Sequence, residues 1–473
     1  MLLEHIYDED LAQGSYFIGC QAHNTAIVVD PRRDIQVYLD LAEQEGMEIV
    51  GVTETHIHAD YLSGTLELAN ATGAQVYVSD EGGPDWTYGD GFDDAIRMKH
   101  GHKISLGNIT LEAVHTPGHT PEHLAFLITD GAQASEPGFM LSGDFVFVGD
   151  LGRPDLLDEA AGGVDTRFEG ARQLFKSLRD HFLPLPDYVQ VLPAHGSGSA
   201  CGKALGAVPT TTVGYERNFS WWAKYLEQDD MDGFVNELLD SQPEAHSYFA
   251  RMKVENREGP AVLGELPALV EYTPAELQPI LKRDDKIVVD TRELQARYRA
   301  AVPGALALPN PGKAATHIAW AYNPEEETRD LIVFAQDADH AARYRDHFIR
   351  VGVDALTGYV TSLDDLLGDP VPTITPEELE AQTPQMLLDM RNRSELADGY
   401  IPGAQQLAVS RVVWNRDQLP EDGTIVAYCA SGMRTAVGAS ALRRHGYDVV
   451  ELEGSYNGWV TQAGKEPALP QSR

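Results

Sequence analysis

Cysteine is scarce in this chain: Cys20, Cys201 and Cys429 are the only three among 473 residues. So few thiols in so long a chain exclude a disulfide framework. They indicate a reducing compartment, with each cysteine kept for chemistry or for packing. Long apolar runs are missing as well, and none approaches the roughly 20 residues that a membrane span requires. The opening Met1-Leu2-Leu3-Glu4-His5 lacks a basic stretch followed by an apolar one, so no signal peptide is visible and a cytoplasmic location is expected. Positive charge is short: 36 Lys and Arg stand against 73 Asp and Glu, a formal charge of −37. Such a surface repels nucleic acid and anionic membranes, which leaves small molecules as the expected partners. It would also suit a high-salt habitat. What remains is the composition of a globular protein, 43% hydrophobic and 23% charged, long enough for two to four domains.

The residues able to do chemistry stand at the ends of apolar runs. Ile49-Val50-Gly51-Val52 leads into Thr55-His56-Ile57-His58-Ala59-Asp60-Tyr61. Two imidazoles and a carboxylate at alternate positions after a strand can turn toward one point, and borderline metals take that mixture of donors. Alone, the pair would read as two surface histidines. Three further stretches change the balance: His115-Thr116-Pro117-Gly118-His119-Thr120, Ser142-Gly143-Asp144 and Pro193-Ala194-His195-Gly196. Their order and spacing resemble the metallo-β-lactamase-fold metallohydrolases, which implies an αββα sandwich.

The rest of the first half fits that expectation. Residues 15–20 and 26–31 read as two strands joined by a polar turn. Ile35, Val37, Leu39 and Leu41 give residues 32–46 a helical spacing that ends at Gly46. Residues 205–265, with Trp221-Trp222 and the run from Phe234, read as a mostly helical cap and then a linker.

The second half repeats itself about every hundred residues. Thr273-Pro274-Ala275-Glu276-Leu277 matches Thr375-Pro376-Glu377-Glu378-Leu379, and both are capping boxes with proline at the first helical position. Val288-Val289-Asp290-Thr291-Arg292 matches Leu387-Leu388-Asp389-Met390-Arg391. Val302-Pro303-Gly304-Ala305 matches Ile401-Pro402-Gly403-Ala404, and Ile332-Val333-Phe334-Ala335 matches Ile425-Val426-Ala427-Tyr428. Two copies of one α/β domain follow. After the last matched strand the copies diverge. The second continues Cys429-Ala430-Ser431-Gly432-Met433-Arg434-Thr435, the first Gln336-Asp337-Ala338-Asp339-His340. The second copy resembles the rhodanese-type sulfurtransferases over the whole domain, and the first resembles a rhodanese without its nucleophile. The tight Cys-x4-Arg ring is similar to sulfur-transferring rhodaneses rather than to the related phosphatases. Cys429 and Arg434 would be catalytic, with Ala430, Ser431, Gly432 and Met433 cradling the sulfur at a helix N-terminus.

In the first domain the family pattern is His-x-His-x-Asp-His, and here its last position is Tyr61. A phenol is a poor metal ligand at neutral pH, so one metal is expected rather than two. The resemblance places the ligands at His56, His119 and Asp144, the two-histidine, one-carboxylate set of mononuclear non-haem iron oxygenases. Within this fold that resembles the persulfide dioxygenases and implies one iron(II) per chain, although the same donors also suit zinc. His58, Asp60, Tyr61 and His195 would be outer-shell groups that orient water and ligands. His115 and His123 are expected to be structural or supporting. Arg153, in Gly149-Asp150-Leu151-Gly152-Arg153-Pro154-Asp155, would lie near the substrate. Cys201 has two readings left open, a thiol that handles persulfide sulfur or a small buried residue; for Cys20 the second is preferred.

The expected layout is therefore α/β and multidomain: a metallo-β-lactamase-fold dioxygenase domain with its helical cap over 1–265, a rhodanese-like domain without nucleophile over 266–370, and an active rhodanese domain over 371–473. The whole chain resembles the persulfide dioxygenase–rhodanese fusion proteins. The resemblance implies that a low-molecular-weight thiol persulfide and O2 give sulfite, to which Cys429 passes a sulfane sulfur to form thiosulfate. A homo-oligomer is expected. The competing expectation is a two-zinc thioester hydrolase of the glyoxalase II kind with a sulfur-carrying module.

Overall fold

A computed structural model describes residues 1–159, 165–203, 205–240, 242–461 and 464–469. The chain separates into two compact units, one of 1–245 with 249–266, the other of 246–248 with 267–473.

The first unit is built on two six-stranded sheets. One contains β1 Leu2–Asp8, β2 Gln13–Cys20, β3 Thr25–Val29, β4 Glu48–Thr53, β5 Gln75–Ser79 and β6 Ile96–Met98, paired in that order. The other contains β7 Lys103–Leu106, β8 Ile109–His115, β9 Leu124–Asp130, β10 Phe139–Gly143, β11 Gln190–Pro193 and β12 Thr211–Thr212, again paired in sequence order. Alternation of side chains decides which face meets what. Tyr16, Ile18, Ile27 and Val29 of the first sheet pack with Leu111, Phe126, Leu141 and Leu192 of the second. Their neighbours Phe17 and Val28 point the other way, onto Tyr38, Ala42 and Leu68 of the covering helices. On the outer face of the second sheet, Leu174, Phe175, Trp222 and Phe234 form the matching helical layer. Four layers result, helix, sheet, sheet, helix. Because both of its faces are covered, all eight residues of β2 are buried. The segment expected as a cap forms the helices Val213–Phe219, Ala223–Glu227, Met231–Leu239 and Phe249–Glu258.

The second unit holds two five-stranded parallel sheets. The first consists of β13 Val270–Tyr272, β14 Lys286–Asp290, β15 Leu306–Ala307, β16 Asp330–Phe334 and β17 Leu356–Val360. The second consists of β18 Thr373–Ile374, β19 Met386–Asp389, β20 Gln405–Gln406, β21 Ile425–Tyr428 and β22 Val449–Leu452. Their strand orders, β13-β17-β16-β14-β15 and β18-β22-β21-β19-β20, superpose one to one. Both capping boxes form, with the Thr273 and Thr375 side chains accepting from the amides of Glu276 and Glu378. The repeat seen in the sequence is a repeat of structure.

Candidate metal centre and thiol loop

Every candidate donor of the first unit sits on a loop at a strand's C-terminal end. β4 delivers His56, His58 and Asp60, β8 delivers His119, β10 delivers Asp144 and β11 delivers His195. The two sheets are stitched at this end, since the Gly14 amide donates to the Ala194 carbonyl at 2.6 Å and the Gly196 amide to the Ala12 carbonyl at 3.2 Å. Gly143, just before Asp144, has φ +52°, and a Cβ there would meet His123 Nε2 at 2.6 Å and Thr55 Oγ1 at 2.7 Å. Only glycine fits that turn.

His56, His119 and Asp144 converge, one donor atom of each lying within 4.8 Å of the others, and all three are buried. The Asp144 carboxylate is 3.4 Å from His119 Nε2 and 4.0 Å from His56 Nε2. Neither of its oxygens has a hydrogen-bond partner, though both are fully buried. An uncompensated buried carboxylate costs several kcal/mol, and a divalent cation among these three donors would offset that cost. The imidazoles are prepared for it. Burial and the surrounding imidazoles push His56 well below its usual range, and burial lowers His119 against the pull of Asp144, so both are neutral and free to ligate. His119 is oriented through Nδ1, 3.1 Å from the Arg153 carbonyl, and His56 through Nδ1, 3.0 Å from Thr55 Oγ1.

A second group of donors adjoins the first. Asp60, His195 and Cys201 also bring one donor atom each within 4.8 Å of one another. His195 Nε2 lies 3.4 Å from Asp60 and 3.5 Å from the other oxygen of Asp144, while its Nδ1 is held 3.0 Å from the Ala12 carbonyl. Burial, reinforced by Asp60 and Asp144, holds the Cys201 thiol well above its ordinary range, and burial likewise raises Asp60. Tyr61 takes no part. Its hydroxyl donates to the Asp30 carbonyl at 3.1 Å and accepts from Gln13 Nε2 at 3.3 Å. Burial and the Asp30 carboxylate push this phenol further above its usual range.

Arg153 is bonded within the fold. It is buried, its Nε and Nη2 are taken by Asp155 and its Nη1 donates to the Ala200 carbonyl at 3.0 Å. Three of its five N–H groups are thereby engaged. It ties the His119-orienting loop to the loop that carries Cys201. Cys20 lies in the core between the sheets, in keeping with a packing role. His123 supports the site, accepting the Asp144 amide on Nε2 at 3.0 Å, whereas His115 reaches the Pro121 carbonyl at 2.8 Å.

Two carboxylates escaped the sequence reading. Asp30, at the end of β3 with φ +55°, binds the Thr55 amide at 2.7 Å, the Thr55 hydroxyl at 2.9 Å and His58 Nε2 at 3.1 Å. Burial lowers His58, but Asp30, Asp60 and Glu54 together outweigh it and raise this imidazole to about 9. Glu122 accepts the Ile57 amide at 2.8 Å, and burial raises it to about 7. Asp30 carried a usable signal, an acid closing a buried apolar run, the same placement as Asp144. A cleft of about 360 Å³, lined by His5, Tyr7, Glu9, Pro193, His195 and residues 206–209 among others, leads to the His195 side of the site.

In the second unit, Cys429 follows β21 and precedes the helix Met433–Arg444. Gly432, in left-handed geometry at φ +97°, turns the loop so that its amide donates to Cys429 Sγ at 3.1 Å. The Cys429 amide donates to Ser455 Oγ at 3.4 Å, and its carbonyl accepts from Tyr456 at 3.0 Å. Ala430 and Met433 are half-buried and Ser431 is exposed, so the ring opens outward at Ser431. The loop's cation is paired: Arg434 donates to both oxygens of Glu395, at 2.6 and 2.7 Å. This pairing, together with contact with Cys429, raises the guanidinium against the effect of burial.

The metallo-beta-lactamase superfamily profile matches residues 10–195 and the rhodanese-like domain profile residues 375–462. A solved structure described as a metallo-beta-lactamase from Staphylococcus aureus subsp. aureus COL is 34% identical; the match covers 76% of this chain and 99% of that one, with a TM-score of 0.65. The chain belongs to the metallo-beta-lactamase superfamily. It carries a rhodanese domain behind the superfamily fold. Among curated relatives, the mitochondrial persulfide dioxygenase ETHE1 of Mus musculus is 26% identical over 201 residues, 41% of this chain and 68% of that protein. The hydroxyacylglutathione hydrolase GloC of Haemophilus influenzae is 24% identical over 198 residues, 39% of this chain and 86% of that protein.

Proposed function

We propose that this superfamily member oxidises a low-molecular-weight thiol persulfide at a single iron held by His56, His119 and Asp144, and passes sulfane sulfur through Cys429 to the sulfite formed. The observation that carries the reading is the buried, unpartnered Asp144 carboxylate facing two neutral imidazoles, with the Tyr61 phenol turned away to Asp30. Likeness to a persulfide dioxygenase over 41% of the chain and the rhodanese match over residues 375–462 support it.

Iron(II) at this ligand set supplies the electron-transfer chemistry through which O2 reacts with a closed-shell sulfur compound. The overall step is RSSH + O2 + H2O → RSH + SO3²⁻ + 2H⁺, in which the terminal sulfur loses four electrons and O2 gains them. The cleft beside His195 admits the persulfide. With its proton on Nδ1 and bound to the Ala12 carbonyl, His195 offers Nε2 as the acceptor for the persulfide S–H proton. Arg153 fixes His119 and the Cys201 loop. In the last domain the Cys429 thiolate takes the outer sulfur of a second RSSH, releasing RSH, and the Cys429–S–S⁻ so formed gives that sulfur to sulfite; the S–S bond breaks, the new S–S bond of thiosulfate forms, and the Cys429 thiolate leaves, facing the Gly432 amide.

One iron per chain and O2 uptake on a persulfide are expected. His119→Ala should remove both, because nothing nearby replaces the lost imidazole. A second reading is favoured by the donors of Asp60, His195 and Cys201 beside Asp144, which suit a second ion and a thioester hydrolase. Two zinc ions per chain, thioester hydrolysis and no O2 uptake would select it.

A further inference from the structure

The first copy of the repeat has no nucleophile, and its own loop is built for none. Gln336 is exposed, its amide spent on His340 Nδ1 at 3.2 Å. Yet this copy sends the short helix Leu294–Arg297 and the following Tyr298 against the loop that carries Cys429 in the second copy. A Cβ on Gly432 would find Leu294 Cδ1 and the Tyr298 hydroxyl each 3.5 Å away. Gly432 is the residue whose amide meets the sulfur, and a left-handed glycine has no side chain with which to anchor itself. Leu294 and Tyr298 stand at contact distance from where a side chain would begin, so they limit how far this turn can swing toward them.

The same tyrosine reaches the floor of the loop. Its hydroxyl donates to Glu451 on β22 at 3.1 Å. Glu451 is buried and also accepts from Arg443 at 3.0 Å, with Arg297 of the first copy 3.9 Å away. β22 runs on to Ser455, whose hydroxyl takes the Cys429 amide. Two routes thus lead from the first copy to the thiol, one through Gly432 and one through β22. Burial and the adjacent Glu451 carboxylate push the Tyr298 phenol well up, so it stays a neutral hydrogen-bond donor.

We infer that Tyr298, with Leu294 beside it, is a positioning residue for sulfur transfer: the nucleophile-less copy braces the Cys429 loop of the other and keeps the Gly432 amide aimed at Sγ. This deepens the proposed transferase reading and rests on it. The brace acts on thiolate stability and loop order rather than on the reacting atoms, so it should move the pH dependence of the thiol as well as the rate.

The test is the rate of Cys429 alkylation by iodoacetamide as a function of pH, read on the Cys429 peptide by mass spectrometry in the full chain. Transfer of persulfide sulfur to sulfite is measured in parallel. In Tyr298→Ala the alkylation midpoint should rise by roughly half a pH unit or more, and kcat for transfer should fall about fivefold. O2 uptake should remain at the parent rate. Tyr298→Phe keeps the ring but loses the hydroxyl that both faces Gly432 and binds Glu451, so it should shift the midpoint in the same direction and no further than the Ala variant. An unchanged alkylation profile in Tyr298→Ala would overturn the brace. Should the parent chain transfer no sulfur to sulfite, the transferase reading fails, while the alkylation profile still decides the brace.

Discussion

The two copies in the second unit share even their small-scale bonding. In the first, Arg292 binds Asp290 through its amide at 3.1 Å and Nη2 at 2.7 Å, and Nη2 also reaches the Ala300 carbonyl at 3.0 Å. In the second, Arg391 binds Asp389 through the corresponding atoms at 3.0 and 2.7 Å and reaches the Gly399 carbonyl at 2.9 Å. Where they differ is one loop. The second has Cys429 at the strand end and left-handed Gly432 three residues on; in the first, Gln336 to Asp339 include no residue at positive φ, and Asp337 caps the next helix by accepting from His340 at 2.7 Å. Scaffold and chemistry are therefore separable here. The Asp–Arg clasp and the capping boxes recur in both copies, and the backbone path of a few residues decides which one aims an amide at a thiol.

The comparison can be broken most severely at the nucleophile. Cys429→Ser leaves the size nearly unchanged but supplies a far poorer nucleophile. Transfer to sulfite should fall by about a thousandfold or more, roughly 4 kcal/mol in barrier. Residual transfer within tenfold of the parent would mean that another thiol carries the sulfur. Next in size is Gly432→Ala. At φ +97° a Cβ strains the backbone by about 1–3 kcal/mol, and relief of that strain would swing the amide from Sγ. Transfer should drop about tenfold, with O2 uptake unaffected.

The scaffold side sharpens the comparison through equality rather than contrast. Asp290→Asn and Asp389→Asn each break a charge-assisted clasp, so each should cost about 1–3 kcal/mol in denaturant unfolding. A clasp that mattered in only one copy would show that the copies have diverged in support as well as in chemistry. The smallest effect belongs to Gln336→Ala. An exposed side chain at a loop without a cradle should change stability by no more than about 0.5 kcal/mol and leave transfer at the parent rate. A tenfold loss would give the first copy's own loop a role that its geometry does not suggest.

What was legible in the sequence was what lies close together along it. His56 and His58 after β4, His119 after β8, and Cys429 with Gly432 and Arg434 are local patterns, and a strand end aims such groups by its geometry alone. The repeat was legible because matching turns and caps recur in step. What escaped depends on contacts between distant segments. Asp30 becomes the anchor of the histidine loop only once β3 and β4 pair in parallel. Arg153 bonds to Asp155 beside it and to the Ala200 carbonyl far along the chain, and only the second of these contacts needed the fold. Tyr298 meets Glu451 across 153 residues. Cys201, six residues past His195, suggested nearness to the metal, but only the folded loop shows it grouped with Asp60 and His195.

In the proposed function, oxidation and transfer are separate steps, with the product of the first consumed by the second through Cys429. This is tested most directly by following O2, sulfite and thiosulfate together while the parent and Cys429→Ser turn over a small thiol persulfide. Equal O2 uptake is expected in the two proteins, with thiosulfate as the parent's product and free sulfite in its place from the variant. Undiminished thiosulfate from the variant, or a loss of O2 uptake in step with transfer, would contradict it.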